Sequence, residues 1–221
     1  MKRLSFVLVM LLALLLSLTG VVYGNALALQ AENGKILAPA GFGLDLSGAF
    51  LTGRDPSPLY SAQLSYGVTP AITIAGVWMG NFKDGYDGQK LLKALFSPNH
   101  EQNGYTIYGD YDLTQSKVAC YGISLWTDYR FLYAYTNLES RNTIADQTSG
   151  LVLTPGVNVK LGSRLSLAAE AEYKTANWSG QELRVGAAYR LNRKIAAKFQ
   201  FETGLADQPD RVYQTGLSVE L

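Results

Sequence analysis

The chain has 221 residues, 48% of them hydrophobic and 17% charged, with 19 basic and 18 acidic side chains. That balance implies no nucleic acid or other polyanionic partner. One cysteine, Cys120, excludes an internal disulfide, and one histidine, His100, excludes a site with two histidine ligands from one chain, so no metal and no cofactor are expected.

In chain order, the first feature is a leader. Lys2 and Arg3 precede an uncharged apolar run from Leu4 to Tyr23, and small residues follow at Ala26 and Ala28. A basic start, an apolar core and an A-x-A site predict a signal peptide over 1–28, with a cut after Ala31 as the alternative. The run also approaches the roughly 20 residues of a spanning helix, so an uncleaved anchor is the competing reading. Residues 29–40 form a lead-in, and 41–221 read as one domain with no Ser/Pro-rich linker.

Beyond residue 40 no apolar run is long enough to span a bilayer as a helix, and the dominant pattern is period two, a strand signal. Leu183, Val185, Ala187 and Tyr189 alternate with Glu182, Arg184, Gly186 and Arg190; Phe199 and Phe201 alternate with Lys198, Gln200 and Glu202. One face is greasy and the other charged. Tight connections fall at 68–70, 161–164 and 191–194, and wide ones at 53–58, 81–88, 140–149 and 205–211.

Strand parity then gives a count. With 89–98 as loop or helix there are eleven strands, and the tight turns fall on opposite sides. With Gln89 to Phe96 as a strand there are twelve, at about 41–51, 58–67, 71–82, 88–97, 104–113, 117–126, 129–139, 149–161, 164–175, 181–191, 194–203 and 211–221, and tight turns follow every even strand. Three segments fit less well. Gln89 to Phe96 has helix-compatible composition, the inward face of Arg130 to Leu138 is ambiguous, and Pro155-Gly156 predicts a bulge or bend in strand eight.

The expected fold is all-β, a single antiparallel up-and-down transmembrane β-barrel, because no water within a bilayer can satisfy a sheet edge and the strands must close. Tyr66, Trp78, Tyr105, Trp126, Tyr129, Tyr173 and Tyr189, near strand ends, are candidates for interfacial girdles, although tyrosine also favours strands in general. An exported soluble sandwich is the alternative, and it would need a second apolar interior face.

The segments Tyr66 to Ile74 and Tyr189 to Ala197 resemble the periplasmic hairpins of bacterial porin-like outer-membrane proteins, and the final alternating strand, Tyr213 to Leu221, is similar to the C-terminal signal of that family. The chain departs from the pattern in ending on Leu221 rather than an aromatic. The resemblance implies a barrel in the bacterial outer membrane, with membrane lipid and, through the last strand, the barrel-assembly machinery as partners.

Register points to a lumen row. Pairing Leu191 with Ile195 sets Arg184 opposite Glu202, and the expected register across the 176–179 loop sets Glu172 opposite Arg184, since a shift would place Glu172 against Glu182. Glu170, Lys198, Lys160, Asp110 and Asp112 join Glu172, Arg184 and Glu202 as candidate pore-lining residues. Such a row could screen small solutes by charge, or simply fill a polar interior. The function expected is a narrow channel for passive passage of small solutes; a non-conducting surface-binding or structural barrel is the alternative.

A barrel-embedded hydrolase would need His100 as its base, in a turn with no partner serine or carboxylate recognisable around it, so no catalytic residue is assigned. The pairs Asp110/Asp112 and Glu170/Glu172 would need a dry pocket for acid/base work. Asp84 and Asp87 lack the spacing of an EF-hand loop, and the Asn177-Trp178-Ser179 sequon reads as accidental in a bacterial loop.

Overall fold

The structure is a computed structural model that describes residues 37, 39–52, 59–81, 86–98, 102–142, 149–175, 181–204 and 211–220. The expected leader, His100 and the Asn177 sequon lie outside these residues, as do residues 82–85 of the Asp84 loop; Asp87 is described in backbone only. The described residues form twelve strands: β1 (Phe42–Thr52), β2 (Leu59–Thr69), β3 (Ile72–Asn81), β4 (Tyr86–Phe96), β5 (Asn103–Asp112), β6 (Lys117–Tyr129), β7 (Leu132–Asn142), β8 (Ser149–Leu161), β9 (Leu165–Lys174), β10 (Gln181–Arg190), β11 (Ile195–Gly204) and β12 (Arg211–Glu220). Each pairs antiparallel with its sequence neighbours. β1 closes the ring on β12, from Gly43 opposite Glu220 to Thr52 opposite Arg211.

Alternation sorts the side chains. Leu64, Leu92, Leu125, Leu151, Phe199 and Leu217 point outward and are exposed, Leu64 by 57%. Their partners in the pleat point inward and are mostly polar. An apolar exterior around a polar interior inverts the soluble pattern and is what a barrel facing hydrocarbon requires. Tyr66, Tyr105, Tyr129 and Tyr189 ring the end with the tight turns, while Trp78 and Tyr173 sit toward the loop end.

The ambiguous segments have physical explanations. Gln89 to Phe96 lies within β4, with Leu92 outside and Leu91 and Leu95 buried inside, where Leu95 packs on Tyr108 and Cys120. Leucine on both faces hides its alternation. In β7, Tyr133 and Tyr135 point inward, so aromatics occupy the polar face as well. Trp126 departs from the expected girdle: it points into the lumen, donates from Nε1 to Thr106 Oγ1 at 3.2 Å, and packs beside Tyr133.

Of the bulge or bend expected at Pro155-Gly156, the bulge is absent. β8 pairs with β7 without a break, and its register to β9 is the same on both sides of a lapse at Thr154 and Pro155. Proline has no N–H for the ladder, so pairing lapses without an inserted residue. Gly156 is needed for space: a Cβ there would lie 2.2 Å from Cζ of Tyr135, whose ring lies across it from the facing strand. Register shifts occur instead at Gly67/Thr69, Met79/Asn81 and Asp110/Tyr111.

Ahead of β1, Ala40 has a left-handed φ of 58° and its amide bonds to Gly67 O at 2.8 Å. This turn leaves Leu37 at the barrel mouth. Leu37 donates its amide to Thr73 Oγ1 at 2.9 Å and lies over the inner face of Gly43.

Candidate functional site in the barrel lumen

Strands β7, β9, β10 and β11 each place charged side chains on alternate positions, so Glu139, Arg141, Glu170, Glu172, Lys174, Glu182, Arg184 and Glu202 all project inward at the loop half of the barrel. Arg184 is the hub. Its Nε donates to Glu202 Oε2 at 3.0 Å, its Nη2 to Glu172 Oε2 at 2.9 Å and Glu182 Oε2 at 2.8 Å, and its Nη1 lies 3.6 Å from Glu170 Oε2. A guanidinium presents five donors in a fixed fork, so one side chain can hold several carboxylates.

Arg141 extends the network. Its Nη1 donates to Glu172 Oε1 at 3.0 Å, and it also pairs with Glu139, which accepts from Tyr108 Oη at 2.8 Å. Lys174 bridges Glu172, at 3.2 Å, and Glu182, while Tyr135 donates its hydroxyl to Glu170. The cluster is dry: Glu172, Glu182 and Glu202 are each 1% exposed. Buried carboxylates persist only when paired and hydrogen-bonded, and this network supplies both.

The expected register holds on one side of Arg184 and fails on the other. Arg184 lies directly opposite Glu202. Across β9 and β10, however, Glu172 faces Glu182 and Arg184 faces Glu170, the alignment that a pairwise charge rule disfavours. Two further cations, Lys174 and Arg141, explain it by neutralising the like-charge pair. A two-residue slip leaves every side chain on its original face. Arg184 still reaches Glu172 along the diagonal, within range of a long side chain.

The other candidates lie apart from this hub. Asp110 pairs with Lys93 at 3.6 Å. Asp112 accepts from the backbone N–H of Thr114 at 2.8 Å and Gln115 at 3.1 Å, and from Gln89 Nε2 at 2.9 Å, so it caps the β5–β6 turn. Lys198 pairs with Asp45 at 2.8 Å, nearer the tight turns. Lys160 sits at the tight-turn mouth, 45% exposed and 3.0 Å from Asp128. Sequence reasoning misses Glu139, Arg141, Lys174, Glu182 and Lys93 as members of the site. Lys174 simply continues the alternation of Glu170 and Glu172, and Glu182 enters the sequence argument only as a clash to be avoided.

The wall opposite is built differently. Ser47, Ala49, Ser61, Ser65, Thr73 and Ala75 on β1, β2 and β3 point inward. Ser47 and Ser61 lie 3.1 Å apart through their hydroxyls, and Gln63 donates to Ser65 at 3.1 Å. Asp45 is the one ionisable inward side chain among the described residues of these three strands. Among the described residues, no group of three His, Cys, Asp or Glu side chains is placed to hold a metal ion.

A closed twelve-stranded ring, apolar outside and polar within, has the fold of the bacterial porin-like outer-membrane barrels. The chain is similar to the KdgM porin, with a TM-score of 0.62 at 10% identity over 80% of this chain and 98% of that one. It is also similar to the KdgM porin in complex with disordered oligogalacturonate, with a TM-score of 0.64 at 8% identity and the same coverage. The NanC porin follows at a TM-score of 0.60 and 13% identity, over 80% of this chain and all of the other. No protein-family model matches the sequence, and no curated protein sequence matches it. Identities this low carry the fold and no residue roles.

Proposed function

We propose that this protein is a narrow channel of the bacterial outer membrane through which small solutes pass by diffusion, with no catalytic step. The observation that carries the reading is the contrast between the two lumen walls: large, ion-paired side chains fill one, while serine, alanine and threonine keep the other thin. Twelve strands enclose less space than the larger porins, so passage is confined to the thin wall and to small solutes. The 12% and 10% side-chain exposure of Lys93 and Arg141 supports a path that skirts the edge of the cluster. The oligogalacturonate of the KdgM complex is not carried over, because an acid-rich lumen would repel a polyanion.

A second reading is a non-conducting structural barrel, favoured by the near-complete burial of Glu170, Glu172, Glu182 and Glu202. Planar-bilayer recordings separate the two. Discrete conductance steps from the purified barrel are expected, and silence from protein shown to be folded and inserted would replace the channel by the structural reading.

A further inference from the structure

The loop half of the lumen carries more negative charge than its ion pairs neutralise. Among the described residues, the five glutamates of the cluster together with Asp110 and Asp112 face Arg141, Arg184, Lys174, Lys93 and Lys117, the last paired opposite Asp112 on β6, an excess of two carboxylates. Among the described residues, oxygen Oε1 of Glu202, buried in the cluster, has no hydrogen-bond partner. No inward lysine or arginine among the described residues of β1, β2, β3 or β12 offsets the excess from across the lumen.

At the other mouth the balance reverses. Arg130, Arg164, Arg190, Arg193 and Lys194 are exposed at the tight turns, with Asp128 and Glu220 as the nearby acids. Exposed charges are screened within about 8 Å at physiological salt. Charges set in the low-dielectric wall of a narrow passage are screened far less and focus their field into it. The buried acidic excess therefore governs the sign of the potential at the narrow level.

We infer that the passage selects small cations, inorganic or organic, over anions. This rests on the channel reading. In such a barrel the ion-paired cluster does two things: Arg184, Arg141 and Lys174 hold the carboxylates in place, and the remaining carboxylate charge attracts cations to the thin wall.

The test is the reversal potential of protein expressed from the full chain, extracted folded from outer membranes and reconstituted in planar bilayers under a KCl gradient. Potassium should permeate better than chloride. Glu202→Gln should lower that preference, and Lys93→Gln should raise it, each on the order of twofold. Structural damage would not move the two variants in opposite directions. An open channel that prefers chloride, or that is indifferent to both substitutions, overturns the inference and leaves the channel reading standing. Absence of any conductance from inserted barrels overturns both.

Discussion

The two walls of the lumen are made by the same alternation and do opposite things. On β7, β9, β10 and β11 every second residue toward the loop end is polar, most of them long and charged, and the side chains meet in a dry network around Arg184. On β1, β2 and β3 the inward residues are mostly small, and Ser47, Ser61 and Ser65 do little more than cover the backbone. Strand number sets the width of a barrel, so side-chain size decides how much of that width remains. The charged wall fixes the shape of the interior, and it is along the thin wall that the proposed passage would run.

The largest effect should come from breaking the charged wall at its hub. Arg184→Met leaves four buried carboxylates short of their shared cation and should cost about 3–5 kcal/mol, as when one partner of a buried pair is removed. The urea unfolding midpoint in detergent or lipid should fall accordingly, and part of the loss should return when Glu170→Gln and Glu202→Gln are added. A drop no larger than that of a surface pair would mean that the network contributes little to holding the wall.

Next is Gly156→Ala, which forces the ring of Tyr135 away and weakens its bond to Glu170; about 1–3 kcal/mol is expected for overpacking at such a site. The same denaturation measurement reads it, and Tyr135→Ser in the same chain should remove most of the penalty. On the thin wall, Ser61→Leu should shift the midpoint less than either, yet lower single-channel conductance severalfold. Unchanged conductance in that variant would put the path elsewhere. Smallest of all is Lys160→Ala, which removes a half-exposed pair with Asp128 and should change stability by less than about 1 kcal/mol.

The ring is legible from sequence because apolar alternation and turn spacing report on each strand separately. β10, β11 and β12 show one greasy face and one polar face with no long-range information required. β4 and β7 are harder, since Leu91, Leu95, Tyr133 and Tyr135 point inward and blur the contrast between faces. The site is only partly readable for a different reason. Arg184 and Glu202 are joined by a short turn that fixes their register, whereas Glu172 and Glu182 are joined by a loop that does not. A pairwise charge rule then selects the wrong alignment, because the stabilising cation Arg141 comes from β7, which is not a neighbour of β10 in the ring. Leu37 in the turn-end mouth carries no periodic signal at all.

The closure of β1 on β12 has a consequence for how the molecule comes into being. Gly43 and Glu220 stand at opposite ends of the folded sequence, yet they are partners across one seam. Every other seam joins strands adjacent in the chain, so eleven can form locally while the twelfth must bring β1 and β12 together. Such a distant contact delays folding, because the entropy of joining the chain ends is lost before the pairing compensates for it. Until then two strand edges stay open, and open edges invite pairing with other chains. A truncation that removes β12 should therefore lose far more than one twelfth of the fold, producing an aggregating sheet rather than a smaller barrel.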